Sequence, residues 1–356
     1  MEKRAVLAIV LSLVVVLVWS IFFAPTPPPP SEVSDSAPSQ APAVAPPQDT
    51  APAVESVSPG ITERPAAPLA APAALVTVDT GVARFTLTSQ GAGVKGVQLQ
   101  AYRTTLAKGA PPIEIAPVPG STTLPLTAEL HLGQQVASLG QVAFTPSQTV
   151  LTLSASQPEG EVTFDGELDD GRTVHRRYRF HYTNYTFEVS TWVEGLQPPA
   201  GSSMLLLWGP GLLRHTDDVG RQGQTAEQAR SYVSGKIVQE APKKVGEKQV
   251  EQGQVTWTAL ADTYFAAVLM PQEPAGEAVM AQRLEGDTLE IGLRTPLNPA
   301  RTTQTVRVYV GPKSQPLLEA ADPSLDKLID LGFFSPLARP MLNSCAGSMA
   351  GYTTMG

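Results

Sequence analysis

The sequence predicts a mainly β protein tied to a membrane, with one N-terminal transmembrane helix, a disordered Pro/Ala-rich linker, a large antiparallel β-sandwich and a C-terminal amphipathic helix. Three observations carry this. Residues 5–24 are uncharged and apolar, the stretch after them is dense in proline, and from Leu75 the texture becomes short alternating runs broken by Gly and Pro. Composition removes other classes. A single Cys, Cys345, cannot close an intramolecular disulfide or build a Cys-rich metal site. A formal charge of -8 and a pI near 5.1 lack the basic footprint that phosphate-backbone binding needs, so no nucleic-acid partner is expected.

The run AVLAIVLSLVVVLVWSIFFA has only Ser12 and Ser20 as polar residues. At about 1.5 Å rise per residue it matches a hydrocarbon core of about 30 Å. A cleaved signal would have a shorter apolar stretch and a small-x-small exit, whereas this one ends Phe22-Phe23-Ala24-Pro25. The segment therefore reads as a retained anchor, and the distance to Cys345 excludes lipoprotein processing. Lys3 and Arg4 precede it, and no positive charge occurs after it until Arg64. That bias leaves residues 1–4 in the cytoplasm and sends the rest across. Trp19, Phe22 and Phe23 suit the outer aromatic belt.

Residues 25–74 form the linker. Within 25–72 lie 14 of the 34 prolines, no aromatic residue, and one Arg against five acids, a net charge of -4. Such a stretch buries too little apolar surface to offset its ordering entropy and is expected to stay disordered or extended. A ligand role for Pro27 to Pro30, beside the membrane, is second to that of a spacer.

The β-domain is expected over 75–314. In VARFTLT (82–88) Ala83, Phe85 and Leu87 share one face, and in YTFEVSTWV (185–193) Phe187, Val189 and Val193 do the same. A period of two marks half-buried strands. TVHRRYRFHY (173–182), MLLLW (204–208), QVTWTAL (254–260), TYFAAVLM (263–270), TLEIGL (288–293) and TTQTVRVYV (302–310) extend the series, and Asp169-Asp170-Gly171 signals a tight turn.

Several motifs carry both a chemical and a structural reading. Gly91-x-Gly93-x-x-Gly96 has the dinucleotide spacing, but VKGVQLQAY continues as strand rather than opening a helix, so a glycine turn is expected. His131, His175, His181 and His215 lack metal-ligand spacing. His175, Arg177, Arg179 and His181 alternate along one strand, as either a cationic strip or simply a solvent-facing side. Asp217 and Asp218 near His215 have no orienting partner for acid–base work. Asn184-Tyr185-Thr186 matches a glycosylation acceptor, relevant only to a eukaryotic secretory route. No catalytic, cofactor-binding or metal-binding residue is assigned, and no cofactor is expected.

PSLDKLIDLGFFSPLARPML (323–342) breaks the β pattern. Ser324 is expected to cap a helix that gathers Leu325, Leu328 and Ile329 on one side, with Phe333, Phe334 and Leu337 prolonging the apolar surface. A helix closing the end of the sandwich is one reading. A helix lying in the membrane interface is preferred, because it accommodates the two adjacent Phe residues and the Arg339-Pro340 exit.

In this order the segments resemble the YidC membrane protein insertase family of Gram-negative bacteria, nearly to Leu342. The marks are the charged start and anchor, the tether, TSQGAGVKGVQLQAYR (88–103), LADTYFAAVLMP (260–271), VYVGPKS (308–314) and DKLIDLGFFSPLARPML (326–342). The resemblance implies a periplasmic β-super-sandwich over 75–314. It also implies that 315–342 is an interfacial helix and the start of a five-helix insertase domain. It further implies an inner-membrane location, no nucleotide chemistry, and, as partners, nascent inner-membrane proteins, the lipid bilayer, the Sec translocon and the ribosome, the last through the five-helix core. After Leu342 the family continues into hydrophobic helices, whereas residues 343–356 read NSCAGSMAGYTTMG. No groove arginine is carried onto a numbered residue. A shift of one base allows the tail to read EFLRRFHGWLHNYG, and the tail is expected to be a frameshift product. Two other functions compete with this one: a membrane-anchored periplasmic binding or chaperone domain, and an enzyme of sugar-mutarotase type using His175 or His215.

Overall fold

The computed structural model describes residues 73–329, except 106, 117–122, 214–226, 241, 273–276 and 285–287. The anchor with Lys3, Arg4 and Trp19, the linker to residue 72, Phe333, Phe334, Leu337 and the tail from 343 lie outside the described residues, as do His215, Asp217 and Asp218. No described helix is long and apolar enough to cross a membrane.

Among the described residues twenty strands run in chain order. The first ten are β1 (Leu75–Asp79), β2 (Ala83–Thr88), β3 (Val94–Arg103), β4 (Pro112–Ala116), β5 (Ala128–Leu132), β6 (Gln135–Ser138), β7 (Phe144–Pro146), β8 (Val150–Thr152), β9 (Glu159–Glu167) and β10 (Thr173–His181). Then come β11 (Thr186–Val193), β12 (Ser203–Trp208), β13 (Gln228–Val233), β14 (Lys236–Glu240), β15 (Lys248–Gly253), β16 (Val255–Ala261), β17 (Phe265–Pro271), β18 (Glu277–Arg283), β19 (Leu289–Pro296) and β20 (Thr303–Pro312). They build a five-stranded sheet (β4-β3-β2-β1-β8), a nine-stranded sheet (β14-β13-β16-β17-β20-β11-β10-β9-β7) and a six-stranded sheet (β15-β18-β19-β12-β5-β6). Pairing is antiparallel with one departure from the expected pattern: β8 joins β1 in parallel, Val78 opposite Leu151.

The nine-stranded sheet organises the rest. On β10, Val174, Arg176, Tyr178 and Phe180 are buried while Arg177 and Arg179 are exposed, the alternation that one covered face demands. The covered face meets the five-stranded sheet through Phe85, whose ring lies 5.2 Å from Phe180 and 5.0 Å from Phe187. It meets the six-stranded sheet through Gln304. The Gln304 Nε2 faces Met204 O at 3.0 Å, Leu293 O at 3.2 Å and Thr295 Oγ1 at 2.8 Å. Strand β12 departs from simple alternation, because all six of its residues are buried.

The glycine motif is a turn. Gly91 takes φ +66° between β2 and β3, and a Cβ there would stand 2.8 Å from the Gly140 backbone. Two buried side chains of β10 grip the turn: Arg176 Nη1 donates to Gly91 O at 3.3 Å, and the Tyr178 hydroxyl donates to Ala92 O. The chain runs on into β3 rather than a helix, so the spacing serves close packing rather than phosphate binding. Asp169-Asp170-Gly171 turns β9 into β10 as expected, with Gly171 N donating to Leu168 O at 2.9 Å.

Candidate functional site

The other face of the nine-stranded sheet has two halves. Over β9, β10 and β11 it faces solvent, and the cationic strip is largely neutralised in place. His175 Nδ1 lies 2.6 Å from Asp165, Arg179 lies 3.4 Å from Glu159, and His181 lies 3.5 Å from the same carboxylate. His175 also stacks on Trp192 at 5.0 Å. His131, on the six-stranded sheet, stands 3.0 Å from Glu129. These are solvated, paired side chains. Among the described residues no group of three His, Cys, Asp or Glu could share a metal ion.

Over β13, β16, β17 and β20 the same face is covered by the segment directly after β20. It forms a short helix, α1 (Gln315–Ala321), and then a 3-10 turn over Pro323–Leu328. Here the structure departs from the expected amphipathic α-helix. The cap is Asp322, whose Oδ1 accepts from Ser324 N at 2.9 Å and from Ser324 Oγ at 2.6 Å, so Ser324 is not itself the cap. In a 3-10 turn side chains at i and i+3 eclipse. Leu325 and Leu328 therefore point the same way, and they are 0% and 1% exposed within the sandwich core. Ile329 is half-buried and packs on that core. These three residues, expected from the sequence as a membrane-facing stripe, spend their apolar surface on protein instead.

Polar contacts fasten this strap. Trp257 Nε1 donates to Ser324 Oγ at 3.0 Å; Arg307 donates to Ala321 O at 3.2 Å and pairs with Asp322 at 3.4 Å. Arg230 Nη1 reaches Leu328 O at 3.5 Å, and the Lys327 ammonium lies 5.2 Å from the Tyr232 ring centre. Sequence reasoning did not single out Trp257, Arg230 or Arg307. Their signal was present as bulky or charged side chains at strand positions on the face that simple alternation leaves to solvent.

Arg176 and Glu290 are among the buried charged groups elsewhere in the described residues. Arg176 is fully buried; its Nε and Nη2 have no hydrogen-bond partner, and burial lowers its pKa. Glu290, 8% exposed on β19, has its pKa pushed up to about 7 by burial and by Glu129, an effect that Lys248 opposes. A cleft of about 870 Å³ opens beside edge strand β6 and the β9–β10 turn, with Val136 and Leu132 on one side and Glu167, Asp169 and Asp170 on the other.

The described region is thus a two-layer β-sandwich whose last segment is strapped across one sheet. Residues 75–344 match the YidC periplasmic domain family, and the chain belongs to that family. Relatives named membrane protein insertase YidC include those of Syntrophus aciditrophicus, 26% identical over 97% of this chain and 65% of the relative, and Pelobacter propionicus, 28% identical over 96% and 62%. A third, from Nitratidesulfovibrio vulgaris, is 29% identical over 96% of this chain and 62% of its own length. The chain therefore spans a little under two thirds of these relatives. Among solved structures, a putative aldose 1-epimerase of Escherichia coli K12 is similar at 9% identity, covering 67% of this chain and 99% of that one, with a TM-score of 0.39. A likeness at that level carries no argument for sugar chemistry.

Proposed function

We propose that the chain is the anchor and periplasmic part of a YidC-type insertase, which assists insertion and folding of inner-membrane proteins alone or with the Sec translocon. The observation that carries this reading is the family match over 75–344. In the proposed layout residues 1–4 are cytoplasmic, 5–24 span the inner membrane, 25–74 tether, 75–314 stand in the periplasm, and 315–342 lead toward the insertase core. Twenty apolar residues suit the bilayer, and the N-terminal Lys3 and Arg4 favour that orientation. Lipid contact by this segment falls to Phe333, Phe334 and Leu337. Its clients are nascent inner-membrane proteins, with the ribosome engaged through the five-helix core. The work is physical: it lowers the cost of taking polar flanks through hydrocarbon, with no bond made or broken.

The test is photocrosslinking from the β-domain of the full chain in a Gram-negative bacterium during synthesis of a polytopic inner-membrane protein. Adducts to that nascent chain, and none to a secreted soluble protein of equal abundance, are expected. Equal capture of both, or of neither, would overturn the reading.

A further inference from the structure

The described residues expose seven large hydrophobic side chains strongly, and three of them, Ile237, Val245 and Val250, fall in the arm formed by β14, β15 and the loop between them. The same arm carries Lys236, Lys243, Lys244 and Lys248, all exposed. Over residues 236–253 four Lys oppose Glu240, Glu247 and Glu251, a local charge of +1 in a chain of -8. None of the four ammonium groups stands within 4.0 Å of a carboxylate among the described residues, although Lys248 acts at longer range on Glu290.

The loop that presents them is braced. Glu247, itself exposed, folds its carboxylate back over the loop and accepts from Lys243 N and Lys244 N, both at 3.0 Å. Gly246 N donates to Arg283 O at 2.8 Å, Arg283 N donates to Glu247 O at 3.2 Å, and Arg283 Nε donates to Pro242 O. One acid is thus consumed in holding the turn, while Lys243, Lys244 and Val245, 61% exposed, remain outside it. Strand β14 also pairs with β13, whose Arg230 and Tyr232 hold the end of the strap. The arm therefore lies one strand from the point where the chain leaves the described domain.

From this we infer that the β14–β15 arm docks on an anionic lipid surface, with Val245 and Val250 entering the headgroup region and Lys243, Lys244 and Lys248 meeting lipid phosphates. Exposed apolar side chains flanked by lysines gain from both burial and charge at such a surface, and neither gain is available in water. The inference rests on the proposed membrane anchor, and the experiment separates the two. The full chain carrying Cys345→Ser and Val245→Cys, labelled with NBD, is reconstituted into vesicles of phosphatidylethanolamine with phosphatidylglycerol, or of phosphatidylcholine alone. Flotation reads the anchor, and quenching by headgroup-proximal doxyl lipid reads docking.

Flotation in both lipids, with NBD at 245 quenched in the anionic vesicles and well above a label at Val150→Cys, is expected. Each Lys→Gln substitution at 243, 244 or 248 should lower the docked-to-free ratio by about fivefold. A Val250→Cys label should show the same pattern, which guards against a local defect at 245. Flotation without quenching overturns docking and leaves the anchor standing. Quenching that is equal in neutral lipid, or unmoved by the three Gln changes, also overturns it. Flotation in anionic vesicles alone, with quenching, supports docking and removes the anchor. Failure to float in either lipid overturns both.

Discussion

Glu290→Gln isolates one buried charge. The carboxyl sits on β19 behind Gly209, where an added Cβ would stand 2.7 Å from the Glu290 side chain, so the strand end is closely packed. Its pKa rises from 4.5 to about 7, first through burial, then through Glu129. A carboxyl whose folded pKa lies above its unfolded value binds more protons when folded. Its contribution to stability is therefore greatest at low pH and is lost as pH rises from 4.5 to 7. At 1.36 kcal/mol per unit this single group should cost the domain about 2–3 kcal/mol between pH 5 and pH 8. Glutamine keeps the shape and removes the titration. Urea unfolding of residues 73–344 should give a variant equal to the parent, within about 1 kcal/mol, at pH 5 and about 2–3 kcal/mol more stable relative to it at pH 8. In melting temperature that is a relative gain of about 5–10 °C. If parent and variant keep the same stability difference at both pH values, the buried-charge argument is wrong.

Arg176→Met should leave stability within about 1 kcal/mol of the parent or raise it, because Met fills much of the volume and removes a buried charge with two unpaired nitrogen atoms. Arg176→Ala leaves a cavity and should cost about 2–4 kcal/mol, so calorimetry that finds Met as harmful as Ala would contradict this. Gly91→Ala forces a Cβ to 2.8 Å from the Gly140 backbone at φ +66°, and a loss of more than about 2 kcal/mol is expected by chemical denaturation. Leu325→Ala should destabilise the lipid-free domain by about 2–5 kcal/mol, as a core truncation does. A change below about 0.5 kcal/mol would instead indicate a side chain that faces away from the protein.

Much of the sheet architecture was legible because water on one face writes a period of two. Phe187, Val189 and Val193 gave β11 away, and the turn at Gly171 fixed the β9–β10 hairpin. Strand partners at long range were not legible. Nothing local in Leu75–Asp79 says that β1 will pair in parallel with Val150–Thr152, or that β12 will lie between β5 and β19. The Gly91 motif was readable only through the strand texture of VKGVQLQAY next to it, since the same glycine spacing serves a phosphate loop or a tight turn. At the C-terminal end the sequence shows the apolar positions of Leu325, Leu328 and Ile329 but not the surface they meet. Hydrocarbon from lipid and hydrocarbon from a β-sheet impose the same pattern, and only the clamps from Trp257, Arg230 and Arg307, distant in sequence, decide between them.

The strap makes the segment that leads toward residues 330–342 part of the β-domain, and the fate of its apolar side chains turns on that attachment. Hydrogen exchange of the full chain, compared in detergent and in lipid vesicles, tests it directly. Leu325 N donates to Asp322 O at 3.0 Å and Ile329 N to Asp326 O at 3.2 Å. These two amides should be slowed in detergent as in lipid, and both should lose protection when Trp257→Phe and Arg307→Gln together loosen the clamps. Protection that arises only when bilayer is present, and ignores those two substitutions, would contradict the strap and return Leu325 and Leu328 to the membrane interface.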